Sequence, residues 1–241
     1  MSRQDIHNSE IPKLCQSCEA RHRGVCGALN AEQLTALSRH TKIVEVPAGT
    51  TMLMEHEPIE RYANVLRGVI KLYKLLEDGR QQIVGLQFAP DLLGRQHTDT
   101  SNVSAEAATT AKLCFFPSNA LESVAQESQG MAKRLQTQAL RELDQAREWM
   151  VILGRKTAYE KVASFLNLIA TASDPERDES DTEISVELPL SRGEMADFLG
   201  LTTETVSRQM TALRKNGIIA LERSQVVKVL DLDALTAACG S

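Results

Sequence analysis

The stretch LSRGEMADFLGLTTETVSRQMTALRKNGIIALE, residues 190–222, decides the fold. Ser191 with Glu194 three residues on forms a capping box, in which each side chain satisfies a backbone N–H at the start of a helix. Met195, Ala196 and Leu199 then share an inward face, and Gly200 suits the left-handed residue that closes a helix. Thr202 or Thr203 opens a second helix, whose Val206, Met210 and Leu213 repeat on one side until Asn216-Gly217 stops it. Two short helices joined by a glycine-containing turn predict a helix-turn-helix. The exposed side of the second helix carries Glu204, Ser207 and Arg208. Arg can donate two hydrogen bonds to guanine, Glu can accept from the cytosine amino group, and Ser can contact either base type. Thr202 and Thr203 flank that face, and Arg214 and Lys215 are placed for phosphates. From Thr202 to Lys215 three residues are positive and one is negative, so the local charge favours DNA. A chance lookalike, with Glu204 and Arg208 as an ordinary i, i+4 ion pair, is the bland alternative.

Working outward from this stretch, the runs IIALE (218–222) and VVKVL (226–230) predict a two-stranded wing. Upstream lie the strand ISVELPL (184–190), an acidic solvated loop at 174–181, and a helix over about 157–172 with Val162, Phe165, Leu166 and Ile169 on one face. From Met131 to Lys156 there is no proline, and Ala139, Leu143, Ala146, Met150 and Leu153 recur at intervals of four, three, four and three. That is an a/d seam. Two uses are open: covering the chain's own β-type region, or pairing with a second copy. The heptad-like spacing favours the dimer.

Between about Thr41 and Phe116 the pattern becomes short β-type runs: KIVEV, TTMLM, ANVLRGVIKLYKLL, QQIVGLQF and AKLCFF. Turn chemistry separates them, as at Pro47-Ala48-Gly49 and Glu77-Asp78-Gly79-Arg80, and Asp-Gly between apolar runs signals a hairpin. An α+β chain is expected: a cysteine-rich arm (1–30), an N-terminal antiparallel β-roll (31–126), a long dimerisation helix (127–156) and a C-terminal winged helix-turn-helix (157–241).

The chain has 241 residues, 42% hydrophobic and 24% charged, with a net charge of −5. That is ordinary globular composition, and an acidic whole does not preclude a locally positive DNA surface. The N-terminus is polar, and no apolar run approaches the ~18 residues of a membrane span, so the expected compartment is the cytoplasm, without membrane partners. No GxxxxGK[ST] loop, HExxH or nucleophile–base pair occurs, which sets enzymes aside. The histidines (His7, His22, His40, His56, His97) are scattered without ligand spacing.

Cys15, Cys18 and Cys26 crowd into twelve residues, Cys114 stands alone in AKLCFFP, and Cys239 is third from the end. In a reducing compartment such a triplet reads as metal or redox chemistry before disulfides. Zinc accepts four cysteines, or three and a histidine such as the intervening His22. An iron–sulfur cluster takes four thiolates. A lone strand cysteine like Cys114 is ordinarily a small buried hydrophobe.

A β-roll, a long helix and a winged helix-turn-helix in that order resemble the cyclic-AMP receptor protein/FNR superfamily, and the likeness covers essentially the whole chain. Its roll is a cyclic-nucleotide-binding-like jelly roll. The motif Glu204-x-x-Ser207-Arg208 resembles the FNR group, which reads TTGAT half-sites in an inverted repeat. The resemblance implies a homodimer that contacts bases through Glu204, Ser207 and Arg208, usually activates, and meets RNA polymerase, for which an exposed turn such as 77–80 is a candidate surface. Cyclic-AMP-binding members present a Gly-Glu pair and an Arg-Ser/Thr-Ala run. Here Leu93-Gly94-Arg95 and Asn102-Val103-Ser104-Ala105 stand in their place, and a buried phosphate would lack its cation. No cyclic nucleotide is therefore expected. The triplet spacing, with a central cysteine just before a proline, resembles FNR-type oxygen sensors of the FnrL-like branch. That resemblance implies that Cys15, Cys18, Cys26 and Cys114 ligate an oxygen-labile [4Fe–4S] cluster, with Cys239 a tail thiol outside the ligand set. Zinc or a thiol/disulfide switch at the same cysteines is the alternative.

Overall fold

The computed structural model describes residues 11–16, 18–95, 98–173, 184–223 and 225–240. The acidic 174–181 segment, His7 and His97 lie outside them. The N-terminal arm folds into the short helices α1 (Lys13–Gln16) and α2 (Glu19–Arg23) and a 3-10 turn at Val25–Ala28. Helix α3 (Ala31–Ser38) follows, with Asn30 and Gln33 forming a capping box.

The β-type runs build two four-stranded sheets. Their strands are β1 (Lys42–Val46), β2 (Thr51–Leu53), β3 (Arg61–Arg67), β4 (Ile70–Leu75), β5 (Gln81–Gln87), β6 (Leu92–Leu93), β7 (Ser104–Ala107) and β8 (Ala111–Pro117). One sheet runs β1-β8-β3-β6 and the other β2-β7-β4-β5. The run 63–76, continuous in hydropathy, is broken by Gly68 at φ +86°, where a Cβ would meet the Thr110 carbonyl oxygen at 2.6 Å. Only glycine fits that turn.

Strand alternation gives the first sheet two buried faces. Ala63, Val65, Leu93 and Leu113 point into the roll's interior core. Tyr62, Leu92 and Phe116 point the other way, into a second core shared with Val25 and Leu29 of the arm, Leu34 and Leu37 of α3, and Met131. Each such side chain contributes about 1.5–3 kcal/mol by leaving water. The arm is thus a packed cover on the outer face of the sheet.

Helix α4 (Ser118–Glu127) leads into α5 (Gln129–Arg155) and α6 (Ala158–Ser173). The C-terminal part comprises β9 (Ile184–Glu187), α7 (Arg192–Leu199), α8 (Thr203–Lys215), β10 (Ile219–Leu221), β11 (Val226–Val229) and α9 (Leu232–Ala238). The wing has three strands, in the order β10-β11-β9, so the ISVE segment joins the two expected from sequence. Val162, Phe165, Leu166 and Ile169 of α6 are all buried, and Phe198 stacks against Phe165 and Trp149. The chain divides into two compact units, one of residues 1–74 and 84–144, the other of 75–83 and 145–241. The division falls inside α5, not at its ends. Among the described residues no helix is long and apolar enough to cross a membrane.

Candidate nucleic-acid interface and candidate metal centre

The second unit builds its reading head from local signals. The Ser191 side chain accepts from the Glu194 N–H, and the Glu194 carboxylate accepts from Ser191 in return. Gly200 closes α7 at φ 61°, ψ 44°, a conformation cheap only for glycine. Thr202, not Thr203, caps α8, accepting from the Thr205 N–H at 3.2 Å. Val206, Met210 and Leu213 are buried, as are Met195, Ala196 and Leu199.

Those anchors leave Thr202, Thr203, Glu204, Ser207, Arg208, Arg214 and Lys215 exposed. Ser207, Arg208 and Lys215 line a shallow open groove with Thr211 and Ala212. Hydrogen bonds from its own backbone N–H and the Thr202 hydroxyl hold the Glu204 carboxyl below its usual range, helped by Arg208. Glu204 is therefore an acceptor at neutral pH. One residue absent from the sequence-based set matters here: the Thr205 hydroxyl receives a hydrogen bond from the Arg208 guanidinium at 3.1 Å and pairs with Thr202 at 3.0 Å. Its position three residues from each was the available signal. At the far end of the helix, Asn216 donates to the Tyr159 hydroxyl at 2.9 Å, tying α8 to α6.

On α5, Ala139, Leu143, Ala146 and Met150 are exposed, and Leu153 is half-buried. Met150 is 72% and Leu143 44% accessible, and Leu140 at 55% and Val151 at 57% widen the stripe. A stripe covering the chain's own roll would be buried. This one has no cover within the described chain, and Leu140 and Val151 are additions to the seam.

The first unit gathers the cysteines. Cys15 lies in α1, Cys18 directly precedes α2 with no capping bond from its side chain, Cys26 sits in the 3-10 turn, and Cys114 is in β8. Cys15 and Cys26 pack against the outer-face core. Cys114 shares that face by strand alternation and stands opposite Ile43 on β1 and Asn64 on β3. Burial pushes the Cys26 thiol up to about 12, against the lowering effect of a hydrogen bond from Asn64, and the charges of Cys15 and Cys18 push the same way. Cys114 also rises to about 12, through burial and then the charges of Cys26, Cys18 and Cys15. The four sulfurs therefore lie within electrostatic reach of one another. Among the described residues, however, no three His, Cys, Asp or Glu side chains are grouped to hold a metal ion. Cys239 lies apart at the end of α9, with its Sγ on the Leu235 carbonyl.

Long-range contacts dock the arm. Arg134 of α5 donates to the carbonyl oxygens of His22, at 3.2 Å, and Gly24. Gly27 is crowded by Arg134 and by the carbonyls of Arg21 and His22, leaving no room for a Cβ. One turn along α5, the buried Gln138 receives the Leu92 N–H at 3.2 Å and donates to the Leu92 carbonyl at 3.1 Å, acting as an extra strand on the β6 edge. A half-buried thiol set of this kind fits a soft, positively charged centre, because four thiolates would need more compensating charge than Arg134 and Arg21 supply. A [4Fe–4S] cluster takes four cysteine thiolates, and the arm and β8 supply four cysteines.

Two family profiles match the chain: a cyclic nucleotide-binding domain over residues 43–128 and a Crp-like helix-turn-helix domain over 160–238. A protein of Rhizobium leguminosarum bv. viciae named "Probable transcriptional activator" is 50% identical over 98% of this chain and 97% of its own. The transcriptional activator protein FnrL of Cereibacter sphaeroides is 40% identical over 96% of this chain and 95% of its own. Among solved structures, FixK2 from Bradyrhizobium japonicum superposes with a TM-score of 0.74 at 29% identity, covering 83% of this chain and 98% of that one.

Proposed function

Because the chain belongs to the Crp/FNR family of transcription regulators, we propose that it is an oxygen- or redox-responsive regulator, chiefly an activator. It binds a TTGAT-type inverted repeat as a homodimer while Cys15, Cys18, Cys26 and Cys114 hold a [4Fe–4S] cluster. One observation carries the sensor half of this reading. The arm's three thiols lie within electrostatic reach of Cys114, Cys15 and Cys26 pack against the core on the outer face of its sheet, and Arg134 fastens that arm to α5. When bound, such a cluster supplies an oxygen-labile link among four thiolates.

The chain's own residues do the rest. Cys114 joins the arm to β8, Arg134 and Gln138 hold arm and sheet edge to α5, and α5 presents the exposed seam to a second copy. A two-fold dimer places two α8 helices on half-sites related by the same symmetry, which is why the operator is an inverted repeat. Glu204, Ser207 and Arg208 read bases. Thr202, Thr203, Arg214 and Lys215 fix the register on phosphates. Loss of the arm's anchorage weakens the seam, and a single half-site binds poorly. The exposed 75–80 tip, with Arg80 bonded to Asp78 at 2.7 Å, is the surface offered to RNA polymerase. The roll works without a cyclic nucleotide, since Arg95 and Val103 stand at the ligand positions. The protein acts in the cytoplasm.

The test is a visible spectrum of the full chain purified without oxygen, followed through brief exposure to air while operator binding is measured. A broad band near ~400 nm that bleaches in air, with operator binding lost alongside, is expected. A colourless protein whose DNA binding ignores air rejects the cluster and shifts the cysteines to zinc or a thiol switch, leaving the DNA-binding reading in place.

A further inference from the structure

We propose that Asn64 is a positioning residue of the cysteine centre, donating its side-chain amide to the Cys26 sulfur and thereby setting the redox potential and air lifetime of the group held there. This rests on the cluster reading above. Asn64 sits in β3 within the run Tyr62-Ala63-Asn64-Val65 and is 5% exposed. Asparagine is a poor strand former, and its neighbours on the outer face are Tyr62, Leu92 and Phe116, where an aliphatic residue would pack without polar cost. What the amide does instead is reach the arm: its Nδ2 lies 3.3 Å from Cys26 Sγ. In register it stands directly across from Cys114 on β8 and from Leu92 on β6. It therefore lies between the arm's third cysteine and the cysteine of the roll.

The other half of the amide sharpens the point. Asn64 Oδ1 is buried with no hydrogen-bond partner among the described residues. Leaving a buried acceptor unsatisfied costs about 1–3 kcal/mol, and a neutral thiol is a weak acceptor for Nδ2. A thiolate changes that balance, because an N–H donated to an ionised sulfur is charge-assisted and much stronger. The amide nitrogen, 3.3 Å from Cys26 Sγ, is therefore placed to donate most strongly when that sulfur ligates. A donor on a ligating sulfur draws charge from it, favours the more reduced state and raises the potential. Dioxygen, which must accept the electron, then finds a centre that is harder to oxidise.

The experiment compares the full-length parent with Asn64→Ala, Asn64→Asp and Asn64→Ser. Each is reconstituted anaerobically with iron and sulfide, then measured for midpoint potential, for decay of the visible band in air, and for melting of the metal-free chain. Asn64→Ala is expected to have a lower potential and to bleach about tenfold faster than the parent. Asn64→Asp, the same shape without the N–H and with a repelling charge, is expected to be at least as labile. Asn64→Ser, a shorter donor, is expected to fall between Ala and the parent. A merely structural tie would move melting and leave the potential unchanged. Brown variants with the parent's potential and lifetime overturn the role of Asn64 and leave the cluster standing. A parent that stays colourless after reconstitution overturns the cluster reading instead.

Discussion

Helices α7 and α8 are set by Ser191, Glu194, Gly200, Thr202 and Thr205, all from one short stretch of chain, which leaves Glu204, Ser207 and Arg208 exposed. The arm holds its thiols with Asn64, 38 residues from Cys26, and with Arg134, 112 residues from His22. The first arrangement forms wherever its local signals are intact. The second exists only once the roll and α5 are assembled, and in the proposed reading it depends further on what the thiols bind. On the proposed reading, a locally built helix-turn-helix under the control of a conditionally docked arm would place regulation upstream of DNA recognition chemistry.

The largest blow to this contrast is Cys114→Ala. It should lower anaerobic operator affinity toward the non-specific level, about 10³-fold, in a mobility-shift titration, while helical content by circular dichroism is kept. Normal operator binding by that variant would break the link between arm and reading head. Next comes Met150→Glu, which puts a charge in the seam of both copies. An uncompensated buried charge costs about 3–5 kcal/mol, so sedimentation should show monomer where the parent is dimeric, with colour unchanged. Arg208→Ala attacks the local side instead. A loss of about 1–3 kcal/mol with relaxed base preference at one position is expected, whereas Arg214→Ala should weaken all sequences alike and lower the salt slope by about 1. Arg134→Ala should leave a brown protein that binds its operator about tenfold more weakly without oxygen, since a charged hydrogen bond contributes about 1.5–3 kcal/mol. Smallest is Ser191→Ala, about 1 kcal/mol from loss of a helix cap. It should appear as a melting shift of a few degrees and leave the response to air untouched.

The winged helix-turn-helix was legible because its signals are short-range: the capping box, Gly200 and the Val206/Met210/Leu213 stripe all appear in the structure as read. The apolar stripe of α5 was legible as a period but not in its width, since Leu140 and Val151 lie exposed beside it on a face without cover among the described residues. The break at Gly68 was hidden by uninterrupted hydropathy, and the third wing strand by the intervening helices. Cys114 could not be placed from its own context, because AKLCFFP carries large apolar side chains on both faces and a single charge, Lys112, and the register with Asn64 shows which side it takes. Asn64 itself left a trace, a lone amide in an apolar strand, but its partner lies 38 residues back. Arg134 looked like any surface cation on a helix.

That Arg134 and the Leu143–Leu153 seam share one helix has a consequence for dose. In a two-fold pair the seam is self-complementary, so weakening it from either copy weakens it for both. On the proposed reading the signal would then count damaged arms per pair instead of per chain. By the same reading, a heterodimer of one intact chain and one Cys114→Ala chain should bind its operator as weakly as the doubly substituted pair, so that such an allele would be dominant over the healthy one. If half the arms were struck at random, about a quarter of such pairs would keep both arms intact, which would make the proposed response to oxidant steeper than the chemistry at any single thiol.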